Sequence, residues 1–205
     1  MARATGRSLW VAIPATVVCI GVLAALVWFA RPMLPVAFGW VGDTLRTATA
    51  AEQAAEHAPA PADVVADGTE LDCRDAYPDL LWAELIWRGD GLLGQNRTSP
   101  PLSTPDVGEA LAPQVHVTCA WTFGDAGSIV SSLATVGEDA ASVAEAAFTA
   151  SGFTCETTDA VTTCRGAASG VAEEHVFRGG LWLATVVDGW MPEDYPARLS
   201  AFVWG

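Results

Sequence analysis

The chain has 205 residues, 51% of them hydrophobic, and a formal net charge of −14. Its 24 acidic residues stand against ten arginines, so it lacks the positive charge with which proteins bind nucleic-acid phosphates or anionic lipid surfaces. We therefore expect no nucleic-acid partner and interpret the acidity as a solvated, soluble surface.

Residues 9–30 form an apolar run without a charged side chain, LWVAIPATVVCIGVLAALVWFA. A helix of this length, rising ~1.5 Å per residue, is about 33 Å long and can cross the hydrocarbon core of a bilayer. Trp10 and Trp28 lie near its two ends, where indole rings favour the headgroup boundary. The run is longer than the apolar core of a cleaved signal peptide, and no small-x-small cleavage site follows it closely. The sequence predicts an uncleaved, single-pass transmembrane helix.

The charge distribution predicts the orientation of this anchor. The stub at residues 1–8 carries Arg3 and Arg7 and no acid, whereas all the acidic residues follow residue 30. By the positive-inside rule the N-terminus is expected in the cytoplasm, with the rest of the chain in the cell envelope. The four cysteines beyond the anchor agree with this location, because an even number in a small exported domain is typical of disulfides.

Residues 31–70 are predicted to be a juxtamembrane stalk and linker. Residues 31–42 are apolar but interrupted by proline and glycine, and residues 43–58 are alanine-rich without an apolar stripe. The following Pro/Ala stretch favours an extended spacer. We expect one folded extracytoplasmic domain over residues 71–205, which is long enough for a single core.

The first half of this domain contains two predicted helices and a strand. Proline at a first-turn position and a following glycine favour a helix over 78–88, and Thr104-Pro105-Asp106 begins a short helix that ends near Leu111. Residues 89–103 are rich in Gly, Ser and Pro and are expected to be a loop. Over 115–123 apolar and polar residues alternate, which predicts a strand with Cys119 on its buried face.

The second half predicts more antiparallel structure. After a turn at 124–127, the pattern favours a strand, a helix, two hairpins and a final helix, at 128–136, 138–151, 153–165, 172–188 and 196–204. The fold class is therefore α+β, with a mostly antiparallel sheet covered on one side by helices.

The cysteine spacing predicts two disulfides. Four cysteines allow three pairings, but pairing Cys155 with Cys164 leaves Asp159-Ala160 as a two-residue hairpin loop and brings the two side chains close together. Cys73 must then pair with Cys119. No paired C-x-x-C or Cys/His spacing is present to favour zinc.

Few residues suggest catalysis or metal binding. Glu173 and His175 share one face of a predicted strand and could bind a metal, but no third ligand accompanies them, so we predict no metal and no cofactor. His57 lies in the predicted stalk and is expected to be solvated, and His116 lies on the strand face opposite to Cys119. Acids lie near Trp190, a combination also found in carbohydrate sites, at Asp188, Glu193 and Asp194.

The tryptophans suggest a binding role instead. Six of them lie in the predicted ectodomain, and an exposed pair would indicate a recognition surface. Trp190 and Tyr195 are the candidate binding residues, because they lie in the connection between the last strand and the last helix. We therefore expect a non-enzymatic binding or accessory domain whose partner is a small ligand or another envelope or membrane protein. A cell-envelope hydrolase that uses the acids near Trp190 is the alternative.

The arrangement of a single anchor, Asp72-Cys73 near the domain start and Cys119-Ala120-Trp121 in a later strand resembles small anchored or secreted actinobacterial proteins of unknown function. The composition, with many Ala, Gly, Arg and Trp residues, is also similar to that of proteins from high-GC bacteria. The resemblance implies a location in the envelope and no particular activity.

Overall fold

The computed structural model describes residues 17–22, 24–25, 59–168 and 170–205. Residues 17–22 and 24–25 are helical and exposed. The rest of the predicted anchor at 9–30, and the stalk at 31–58, lie outside the described residues. Within the described ranges, no helix combines the length and the apolar character that crossing a membrane requires.

Residues 59–205 form one folded unit of five helices and seven strands in their described part. The helices are α1 (Pro61–Ala66), α2 (Asp79–Trp87), α3 (Pro105–Leu111), α4 (Ala140–Ala150) and α5 (Tyr195–Trp204). The strands are β1 (Leu92–Asn96), β2 (Gln114–Thr122), β3 (Gly127–Thr135), β4 (Thr154–Thr158), β5 (Val161–Ala168), β6 (Val171–Arg178) and β7 (Leu181–Gly189). A short 3-10 turn at Gly124–Ala126 connects β2 to β3.

All seven strands pair antiparallel in one sheet, in the order β1-β2-β3-β7-β6-β5-β4. Most neighbours in the sheet are also neighbours in the chain, and the β3–β7 pair joins the two halves of the sequence. The predicted α+β class with an antiparallel sheet is confirmed. β1 and β4 are the two edges of the sheet.

The front face of the sheet is the face that carries Val117, Cys119 and Trp121 of β2. Helices α1, α2 and α5 cover it and bury Val65, Leu81 and Leu199 among other side chains. The expected alternation is confirmed from Val117 to Trp121, and Cys119 is 1% exposed. It is wrong at Val115, because a register shift between Val115 and Val117 places Val115 against the back-face cluster. This face contains the larger of the two apolar clusters.

The back face of the sheet, which carries Phe177 and Trp182, is covered as well. Helices α3 and α4 pack there through Val107, Ala144 and Phe148. The expectation that helices cover one side is therefore wrong. The physical reason is the composition of β7, which is buried from Leu181 to Val187, so that both of its faces need a cover.

The two predicted hairpins form in the predicted registers. Cys155 pairs with Cys164 across the Asp159–Ala160 loop, and Phe177 pairs with Trp182 across the Gly179–Gly180 turn. Asp159 and Ala160 both adopt positive φ, 50° and 63°, as a two-residue turn of this hand requires.

Both predicted disulfides are confirmed. Cys73 and Cys119 are joined with a Cα–Cα distance of 5.7 Å, and Cys155 and Cys164 with a distance of 4.0 Å. The first bond ties the segment before α2 to the front face of β2. The second joins the adjacent strands β4 and β5.

Two elements differ from the sequence prediction. The folded unit begins at Pro59 rather than Leu71, because α1 begins at a proline compatible with a first helical turn and buries Val65 against the core. The predicted loop at 89–103 contains strand β1, which pairs with β2 from Leu92↔Thr122 to Asn96↔Thr118. Its five residues do not alternate in polarity, so the local pattern gave no strand signal.

Candidate binding surface

Trp190, the first predicted binding residue, is half-buried at the margin of the front-face cluster. Its ring packs edge-on against Phe123 with the centroids 5.1 Å apart. The guanidinium carbon of Arg88 lies 4.1 Å from the centre of the same ring, a cation–π contact. Trp190 thus closes the core beside Phe123, and Arg88 already occupies one side of its ring.

Tyr195, the second predicted binding residue, is fully buried, so the expectation that it contacts a partner is wrong. It is the first residue of α5, and its hydroxyl hydrogen-bonds to the hydroxyls of Tyr77 (2.8 Å) and Ser131 (2.9 Å). Burial raises the pKa of both phenols, so they stay neutral. The three hydroxyls satisfy one another inside the front-face core.

The three acids near Trp190 are all exposed. Asp188 is exposed near the end of β7, and Glu193 and Asp194 are exposed before α5. The backbone carbonyls of Glu193 and Asp194 accept hydrogen bonds from Arg198, from its side chain (3.3 Å) and its backbone N–H (2.9 Å). These contacts belong to the start of α5.

Glu173 and His175 do share one face of β6, as the two-residue period predicts, but they lie inside the back-face core. His175 is 0% exposed and Glu173 is 4% exposed. One carboxylate oxygen of Glu173 accepts the backbone N–H of Ser103 (2.7 Å), and the other lies 3.2 Å from His175 Nε2. Phe148 stacks on the imidazole at 4.2 Å. The pair is a closed structural contact that holds the loop before α3 onto the sheet.

The charge states of this pair follow from its surroundings. Burial disfavours the charged Glu173, but the hydrogen bonds from His175 and Ser103 outweigh it and lower the pKa of the carboxyl. Burial lowers the pKa of His175 despite the neighbouring carboxylate. At neutral pH the carboxylate is therefore ionised and the imidazole neutral, with its proton on Nε2. Nδ1 has no hydrogen-bond partner in the described residues.

A groove of 480 Å³ lies between α1 and the Gly179–Gly180 turn, and its charged lining residues are Asp63 and Arg178. It is open, and its lining brings together no cluster of nucleophilic or metal-ligating side chains.

The outer side of α2 is exposed and carries large apolar residues on both sides of Glu84. Leu80 is 76% exposed and Trp87 is 84% exposed, and these residues lie two turns apart in line along the helix. Ile86, which is 46% exposed, lies beside them, while Leu81 and Leu85 face the core. Seven of the nine residues of α2 are apolar, and a helix of that composition is normally buried on more than one side. The outer side of α2 therefore lacks the cover that its composition favours.

The strand that follows α2 carries two more exposed leucines, Leu93 on the front face of the sheet and Leu92 on the back face. All five residues of β1 are exposed, and Leu92 is 73% exposed. Leu93 pairs with Trp121, whose ring contacts Trp82 of α2 at a centroid distance of 5.2 Å. We call this region the α2–β1 surface, and it consists of Leu80, Ile86, Trp87, Leu92 and Leu93. Of the seven large apolar side chains exposed in the described part of the domain, these are five.

Arginines compensate the acids of this segment. Asp79 pairs with Arg74, Glu84 accepts a two-pronged bond from Arg198 at 2.8 and 3.0 Å, and Asp90 lies 3.8 Å from Arg88. The bond from Arg198 lowers the pKa of Glu84. Exposed pairs of this kind contribute little to stability. Their main consequence is a locally neutral surface on a strongly acidic protein.

Sequence reasoning missed the α2–β1 surface. The apolar residues of α2 at positions 80, 81, 82, 85, 86 and 87 are too many for a helix with one buried side, and that excess was the available signal. That excess of apolar residues does not predict strand β1, which follows α2 in the chain.

Comparison of the chain with known protein families, with curated proteins and with solved structures finds no match in any of the three. The resemblance to small anchored or secreted actinobacterial proteins stays a prediction.

Proposed function

We propose that this protein is a membrane-anchored, extracytoplasmic binding or accessory domain that engages another envelope or membrane protein through the α2–β1 surface. The observation that carries the proposal is that five of the large exposed apolar side chains of the domain are grouped on the outer side of α2 and in the strand that follows it, β1. Exposed apolar side chains grouped in one part of a domain are typical of protein–protein contact, and exposed tryptophan is often the residue with the largest contribution.

The proposed location rests on two observations. Two disulfides stabilise the domain, and disulfides persist in oxidising compartments outside the cytoplasm. The uncharged run at residues 9–30 is long enough to anchor the chain in the bilayer. A protease added to intact spheroplasts should then remove the domain, whereas full protection would contradict this location.

The hydrolase alternative has less support. It needs an aromatic platform with two acids held around it, but Arg88 and Phe123 already cover parts of the Trp190 ring. Glu173 and His175, the other pair of side chains that could act in catalysis, are buried away from solvent.

The test of the binding proposal is photo-crosslinking in native membranes. A photo-reactive phenylalanine derivative replaces Trp87 in the full chain, and the matched control places it at Val143, which is 48% exposed on α4. We expect a discrete protein adduct from position 87 and none from position 143. Adducts with lipid alone, or equal adducts from both positions, would overturn the proposal.

A further inference from the structure

The two edges of the sheet are protected to different degrees. β4 carries the charged residue Glu156, and its Thr157 hydroxyl donates a hydrogen bond to Glu145 of α4 at 3.3 Å. Its disulfide also fixes it to β5. β1, with the sequence LLGQN, has neither charge nor proline, and its residues are exposed. An unguarded edge offers the N–H and C=O groups of alternate residues to another strand.

Gly94 at the centre of β1 fits the close approach of another backbone. Its φ is not positive, and an added Cβ would meet only the Ala120 carbonyl oxygen, at an ordinary 3.8 Å. Nothing within its own domain therefore requires glycine at this position. Glycine in a strand often marks a place where a second backbone comes near.

The charges indicate which kind of partner fits this edge. Every acid between residues 79 and 97 is paired with an arginine, and Arg97 itself pairs with Glu70 beside the strand at 2.9 Å. A basic partner would instead be matched by unpaired acids. A neutral strip on an acidic protein suits a partner that is itself acidic, because the repulsion is smallest there. The chain's own net charge of −14 makes a second copy such a partner.

We infer that the occupant of the α2–β1 surface is a second copy of this chain, joined edge to edge through antiparallel pairing of the two β1 strands. The inference rests on the proposed function and specifies its partner. The pairing is two-fold symmetric, as most homodimer interfaces are. The leucines of β1 and the outer side of α2 then cover their counterparts, and anchoring of both chains in one membrane raises their effective concentration.

Photo-crosslinking at Leu92 tests the inference directly. Two copies of the full chain with different tags are co-expressed, both with the photo-reactive residue at position 92, which lies on the sheet face opposite to Cys119. We expect an adduct of twice the chain mass that carries both tags. An adduct with a different protein overturns the second-copy inference and leaves the proposed function standing. Adducts from position 87 without any from position 92 overturn the edge pairing.

A second measurement uses charge. Leu92→Lys places a positive charge on each β1 strand, and such a charge blocks edge pairing, whereas Val143→Lys adds the same charge elsewhere. In purified full chain in detergent, we expect wild type and Val143→Lys to be dimeric by light scattering and Leu92→Lys to be at least tenfold weaker in association. Higher salt should strengthen the wild-type dimer, because it screens the repulsion between two acidic domains. A monomeric wild type, or equal association of both variants, overturns the inference.

Discussion

Both faces of the sheet bury polar groups beneath helices, but the groups differ in kind. On the front face, Tyr77, Tyr195 and Ser131 form a neutral hydroxyl network under α5. On the back face, an ionised Glu173 beside a neutral His175 is sealed under aromatic rings. The front face should therefore be stable over a wide pH range, whereas the back face makes the fold sensitive to acid.

The largest expected effect concerns the front-face core. Trp121→Ala removes an indole that is 2% exposed and contacts the rings of Tyr77, Trp82 and Phe123. We expect a loss of about 3–5 kcal/mol in the free energy of unfolding, measured by urea denaturation. The loss should be the same at pH 7 and pH 5.5, because none of these rings titrates in this range. A strongly pH-dependent loss would contradict the contrast between the faces.

The two disulfides hold the two faces of the sheet with loops of different length. Cys73 and Cys119 are 46 positions apart, and Cys155 and Cys164 are nine apart. In the chain-entropy model the first bond contributes about 4 kcal/mol and the second about 2.6. Replacing each pair with alanine and comparing the unfolding free energies should reproduce this order. The reverse order would mean that local packing of the hairpin, rather than chain entropy, dominates.

Trp190 gives a smaller effect at the edge of the front face. Trp190→Ala removes its edge-on contact with Phe123 and its stacking with Arg88. We expect a loss of about 1–2 kcal/mol, or roughly 2–8 °C in melting temperature, which differential scanning calorimetry would measure. Crosslinking from position 87 should be unchanged. If Trp190→Ala left the melting temperature unchanged but abolished crosslinking from position 87, Trp190 would instead be a binding residue.

His175 should account for the pH dependence of the back face. Its folded-state pKa lies below the ordinary value of 6.5, so the unfolded chain takes up the proton more readily and stability falls as pH drops below about 6.5. Glu173, whose folded pKa lies below 4.5, adds a further loss when the pH falls below that value. One such group changes the unfolding free energy by at most about 1.4 kcal/mol per pH unit.

The test of this effect is His175→Gln, which keeps an N–H donor for Glu173 but does not titrate. Between pH 7 and pH 5.5 its unfolding free energy should decline less than that of wild type. The half-buried His116, whose pKa burial also lowers, supplies the comparison His116→Gln, which should reduce the decline less because His116 is less buried than His175. Identical slopes for wild type and His175→Gln would show that the acid sensitivity arises elsewhere.

The smallest effect on stability is expected outside both cores. Trp87→Ser and Leu80→Ser change side chains that are 84% and 76% exposed, so the melting temperature should move by no more than about 2 °C. Adducts from position 92 should nevertheless be lost. A large fall in melting temperature would mean that these side chains stabilise the isolated fold.

Much of the sheet could be predicted from the sequence because its signals are local. The Cys155–Cys164 spacing and the Gly179–Gly180 turn determined two hairpin registers, and alternation in β2 placed Cys119 inside. β1 was missed because a five-residue strand with two adjacent leucines has no local pattern and is defined by its pairing with β2.

The site residues depended on contacts between distant parts of the chain. Periodicity placed Glu173 and His175 on one face, but whether they are open to a metal depends on Phe148 and Ser103. Tyr195 lies in a connection that could have been exposed, and its burial follows from hydrogen bonds to Tyr77 and Ser131.

The Cys73–Cys119 bond has a mechanical consequence for a domain tethered at its N-terminus. A pull on the tether would first peel away residues 59–72, including α1, which is held by side-chain packing and hydrogen bonds. Fully extended, those 14 residues span about 50 Å. The force then reaches the disulfide and passes covalently to the middle of β2, so the residues between 73 and 119 are shielded from it. Under tension the domain would therefore lengthen only by the unfolding of residues 59–72, which can refold when the force is released, and would then resist further extension.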